Sequence, residues 1–159
     1  MTPTRLFCLA AVLFVALPAF AAKDVPVPST CTAAINQPLA QIIASKTKRD
    51  IDNIMVCGVA TAKSRLQPGG PHGNHHVITI DVPFSSGHAK VQVVTNDSLD
   101  GVVTAAAGDK VFAYGQAYVT HGLWVAGVHD VHCSTHPTAD NGWVVVNGVK
   151  YPPTCPAHR

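Results

Sequence analysis

Three histidines stand close together late in the chain, at His129, His132 and His136 in the stretch HDVHCSTH. Imidazole is the commonest protein ligand for zinc and copper, and three imidazoles with a carboxylate or a water complete a four-coordinate site. Asp130 supplies a carboxylate within the same stretch. A second group, His72, His75 and His76, lies in and beside the glycine- and proline-rich run QPGGPHGNHH. Were the two groups to meet, they would build a transition-metal site, or a hydrolytic centre in which the metal lowers the pKa of bound water. The candidate ligands are therefore His129, His132, His136, His75, His76 and Asp130, with zinc or copper as the metal. Asp81 is a further carboxylate that can ligate or steady a histidine N–H. The plain alternative is one histidine satisfied in the core and the others solvated on loops.

The spacing constrains this reading. On a helix, His129, His132 and His136 would share a face, but Gly127, Val128, Val131 and Thr135 oppose a helix. On a strand, His129 and His132 point to opposite faces. A shared site requires the strand to end near Asp130 and the following loop to curl back.

Other chemistries are narrowed by composition. The chain contains no glutamate, which removes an H-E-x-x-H metalloprotease and any glutamate acid/base pair. It has no G-x-S-x-G, and Ser134 between His132 and His136 is no evidence of a nucleophile–base pair. Trp124 and Trp143 are candidate ligand-stacking aromatics, with a place in the core as the alternative. The near-neutral charge lacks the basic footprint of nucleic-acid binding.

The N-terminus and cysteines address the compartment. Residues 1–22 read as a signal peptide: Arg5, an apolar run from Leu6 to Leu17, and Ala19-Phe20-Ala21 before cleavage. That run is short for a membrane span, so no transmembrane segment is expected after cleavage. Cys8 leaves with it. Cys31, Cys57, Cys133 and Cys155 remain, an even number that in an exported chain predicts two disulfides. Spacing does not choose among the three pairings. Cys31–Cys57 with Cys133–Cys155 is favoured because each bridge ties neighbouring segments.

The elements that must position these residues follow. Residues 23–50 form a leader and a short helix. Lys23–Thr30 is proline-broken and expected to be extended and mobile. A helix is expected over Gln37–Lys46, starting at or kinked by Pro38. Residues 51–152 form one β domain. A long strand is expected from Asn53 to Leu66 with Gly58 as a bend or bulge, and strands at His76–Phe84 and Ala89–Thr95. A crossover spans Asn96–Gly108, and strands follow at Asp109–Thr120 and Leu123–His132. Asn147-Gly148 between Trp143–Val146 and Val149–Tyr151 signals a two-residue type I′ hairpin. Residues 153–159 are a tail. Five main strands, glycines within them and a crossover after the third predict a mostly β fold: a small OB-like five-stranded barrel with a short N-terminal helix and a C-terminal hairpin. A β-sandwich is the alternative.

From about Gly58 to Tyr151 the chain resembles a functionally uncharacterised family of small exported bacterial proteins. The features that carry the resemblance are Gly73 to His76, Asn96, Gly108-Asp109, Gly115, His129-Asp130, His136-Pro137, Gly142-Trp143 and Gly148 to Tyr151. The resemblance implies an OB-like barrel and an exported location, and no activity. The expected function is a secreted or periplasmic non-enzymatic binding module with a histidine-based transition-metal site, its partner a small ligand or an envelope component. A metal-dependent hydrolase of phosphodiester type and a structural envelope-interaction protein are the alternatives. Whether the chain is an enzyme stays open.

Overall fold

The computed structural model describes residues 24–69, 73–135 and 140–156. The signal-peptide reading lies outside them, as do His72 and His136. A short helix α1 (Gln37–Ala44) precedes eight strands. These are β1 (Ile51–Ala60), β2 (Arg65–Gln67), β3 (His75–Phe84), β4 (Gly87–Asn96), β5 (Lys110–Val119), β6 (Ala126–His129), β7 (Trp143–Val146) and β8 (Val149–Tyr151). One helical turn, α2 (Asp97–Asp100), opens the crossover between β4 and β5.

Five strands close on themselves in the order β1-β3-β4-β6-β5-β1. All pairings are antiparallel except β4 with β6. A meander of three strands, a crossover, and a last strand parallel to the third is the OB-like arrangement. Alternation builds the interior: Ile78, Ile80 and Val82 are fully buried on one face of β3, and Val91 and Val93 on β4. Leu39 and Ile42 of α1 join this core. Among the described residues no helix is long and apolar enough to cross a membrane.

The expected long strand from Asn53 to Leu66 is in fact two. After Ala60 one more bond follows the ladder, from Thr61 N–H to the Thr79 carbonyl, and the chain then turns away, with Ser64 N–H donating to the Ala105 carbonyl. Gly58 is not the bulge. It pairs in register with Val111, and a Cβ there would lie 2.3 Å from the Asp81 carbonyl oxygen. The irregularity falls between Ile51 and Ile54, where Asn53 takes φ 63°. The hairpin forms as expected, with Asn147 and Gly148 both at positive φ.

Both disulfides form in the favoured pairing, Cys31–Cys57 and Cys133–Cys155. Such bridges persist in oxidising compartments. The first helps to close a gap. β1 and β3 pair only at Val59–Asp81 and Ala60–Ile80, then splay. Fully buried Asn36 fills the space between them. Its amide donates to the carbonyls of Cys57 and Pro83, and its Oδ1 accepts from Cys57 N–H. Although it holds the N-cap position of α1, its side chain does not cap the helix. The start of the leader packs against the barrel. Val25 packs in a second cluster with Cys57, Phe112, Tyr114 and Trp143, and its carbonyl accepts the Trp143 indole N–H at 2.9 Å. Asn141 Nδ2 donates to Asp24.

Candidate functional site

β6 and β7 lie end to end along one edge of β5. Trp143 pairs with Tyr114, and His129 with Gln116, leaving Gly115 at the break. There the chain leaves the sheet. β6 ends at His129, and Asp130 turns it with φ 51°. The loop then folds back so closely that a Cβ on Gly142 would lie 2.4 Å from the Asp130 carbonyl oxygen. This return supplies the condition the sequence demanded for a shared site: His129 and His132 line one cleft.

That cleft, of about 350 Å³, is also lined by His75, Asn96, Leu99, Asp100 and Asp130. Its walls come from three elements: the start of β3, the β4–α2 junction, and the end of β6. His75 and Asn96 are cross-strand partners, which brings the first histidine group to the second. His76, one residue on, points the other way. It is buried, and its Nδ1 meets Asp97 Oδ1 at 2.7 Å. His76 therefore ties α2 to β3 and is not a wall of the cleft, a correction that follows from strand alternation. His136 lies outside the described residues.

Asp100 is the residue that sequence reasoning missed. Its side chain is 1% exposed. Oδ2 accepts the Asn96 N–H at 2.6 Å. Oδ1 is buried and has no hydrogen-bond partner. Its charge neighbour is His132 Nδ1 at 3.6 Å, an ion pair longer than a hydrogen bond. The Asp100 carboxylate holds the His132 imidazole above its ordinary pKa, against the opposing pull of burial. His129 is flanked by two carboxylates, Asp50 at 3.5 Å from Nε2 and Asp130 at 3.6 Å from Nδ1, and its ring meets Tyr118 edge-on. Its Nε2 is the other buried side-chain atom without a hydrogen-bond partner among the described residues. Each of these two atoms has an ion-pair neighbour in place of a hydrogen bond, His132 for Asp100 Oδ1 and Asp50 for His129 Nε2. A buried polar atom without a partner is rare and asks for an explanation, such as a bound water or ion.

A second cavity, of about 220 Å³, adjoins the first and shares Asp130 and His132 with it. Asp52, Asn53, Gln116, Ser134 and Asp140 also line it. Asp52 accepts from Gln116, and Asp140 from the Tyr114 hydroxyl, whose pKa is pushed upward by burial and then by Asp140. Among the described residues no lysine or arginine lines either cavity.

The chain matches no family model, no curated protein and no solved structure. The remaining candidates fall away from the cleft. Trp143, expected as a ligand-binding aromatic, is fully buried and stacked on Tyr114, so it offers no face to a ligand. Trp124 is half-buried in a different groove, with Ile43 and Val119. Asp81 pairs with His88 at 2.6 Å, outside the cleft. Among the described residues, no three His, Cys or Asp side chains are gathered closely enough to hold a metal ion as they lie.

Proposed function

We propose that this chain is an exported, non-enzymatic binding module that takes a transition-metal cation, zinc or copper, in the cleft of His75, His129, His132 and Asp100. The observation that carries the reading is the meeting of His75, His129 and His132 with the buried carboxylate of Asp100 in one cleft, where Oδ1 has the His132 imidazole as its ion-pair neighbour and no hydrogen bond. An ionised oxygen withdrawn from water is costly unless a cation or donor meets it. Imidazole and carboxylate together suit zinc and copper. The donors are not gathered in advance, so the cation must draw them together, and binding of modest affinity is expected. Export rests on the N-terminal signal pattern and agrees with the two disulfides. Membership of the uncharacterised exported family that the chain resembles is part of the same proposal.

The hydrolase reading is opposed by charge. Asp52, Asp130 and Asp140 line the adjoining cavity without a lysine or arginine, a poor setting for a phosphodiester. Elemental analysis of untagged protein folded in an oxidising compartment tests the proposal. Zinc or copper near one equivalent is expected. It should be lost in the triple substitution His75→Ala, His129→Ala and His132→Ala while both disulfides and the fold survive. Metal-free protein whose melting temperature ignores added zinc and copper contradicts it.

A further inference from the structure

A different part of the molecule carries a second surface. The loop from Thr120 to Val125 joins β5 to β6 beside the C-terminal end of α1. At its tip, Leu123 is 84% exposed, the most open of the large hydrophobic side chains described. Next to it, Trp124 lines a groove of about 440 Å³ with Ile43, Val119 and Val125. Lys46 and His121 stand on the rim of the same groove. Lys46 opens the connector that leads to β1, and Lys48 and Arg49 follow it, all three exposed.

Each ion pair among the described residues joins a histidine to an aspartate. None of Lys46, Lys48 and Arg49 takes part in one. Asp50, the carboxylate next in the chain, is turned to His129. An exposed leucine, a half-buried indole, an apolar groove and the Lys46 cation thus lie together, with exposed Lys48 and Arg49 two and three residues further along the chain.

We propose that this loop and connector dock on the surface of an anionic phospholipid bilayer. Leu123 enters the acyl boundary, Trp124 sits at headgroup depth, and Lys46, Lys48 and Arg49 meet lipid phosphates. Charge complementarity favours an anionic bilayer: exposed cations beside an exposed leucine and a half-buried indole match a negative headgroup layer over an apolar interior. The surface shares no lining residue with the histidine cleft and does not depend on the metal reading.

Vesicle flotation of the disulfide-bonded protein tests it. Vesicles of phosphatidylglycerol with phosphatidylcholine should carry the protein up, and phosphatidylcholine alone should not. Leu123→Asp should lower partitioning by about tenfold, and Lys46→Glu with Lys48→Glu by at least as much. Both variants should keep the parent melting temperature, because these side chains are exposed. Absence of binding to anionic vesicles overturns the proposal, as does binding that both variants leave intact. Self-association abolished by Leu123→Asp, without vesicle binding, would assign the surface to a second copy instead and also overturn it.

Discussion

The barrel has two breaks, and they are finished differently. Where β1 and β3 splay, Asn36 fills the gap and three hydrogen bonds satisfy buried groups on both strands. The Cys31–Cys57 bridge ties the same place. Where β6 gives way to β7 along β5, the chain turns out and back and leaves a cleft lined by His75, His129, His132 and Asp100, in which Asp100 Oδ1 and His129 Nε2 have ion-pair neighbours but no hydrogen bonds. A disulfide, Cys133–Cys155, ties this loop too. One break is closed for stability. The other is held open at a cost, which is the usual mark of a site kept for binding.

Substitution at each break sharpens the contrast, and the largest effect belongs to the closed one. Asn36→Ala should strand the Cys57 N–H and two carbonyls and cost about 3 kcal/mol in urea denaturation. A loss below about 1 kcal/mol would mean that water replaces the amide readily. Asp100→Asn should behave in the opposite way. It removes a buried charge while an amide oxygen can still accept from Asn96 N–H. The metal-free protein should therefore lose less than about 1 kcal/mol or gain stability, while cation binding is lost. A loss as large as that of Asn36→Ala would make Asp100 a structural residue and erase the comparison.

The smallest effect is a pH dependence. Asp100 raises the His132 pKa in the folded state above its unfolded value. The stabilisation from that pair is therefore full below the unfolded value, about 6.5, and fades as the pH rises through the folded one. With chelator present, the melting temperature of the parent minus that of His132→Asn should be largest in mild acid and shrink past neutrality. His132 is 24% exposed, so the contribution should stay below about 1 kcal/mol. A difference that grows with pH would contradict the pair.

Much of the closed architecture was legible because it depends on local patterns. The Asn147-Gly148 turn, the alternation of β3 and the crossover after β4 each follow from neighbours in sequence, and together they specify the barrel. What was hidden depends on distant pairing. Nothing beside Asn36 in the sequence marks its role, because its partners at Cys57 and Pro83 lie far along the chain. Asp100 reads as one more acid in a crossover. Only the return of the loop after Asp130 puts His132 beside it. Period-2 alternation says that His75 and His76 face opposite ways but not which one faces the cleft. Trp143 is misleading for a related reason. In a strand buried on both faces, a large aromatic is consumed by packing, and the leader that covers it looks mobile until Val25 is seen to accept its indole N–H.

The most direct test is a titration of zinc into chelator-stripped protein, followed by NMR of assigned histidine ring protons. His75, His129 and His132 should shift together and saturate, while His76, His88 and His121 stay in place. Saturable shifts confined to His88 or His121, or no saturable shift at all, would contradict the metal reading.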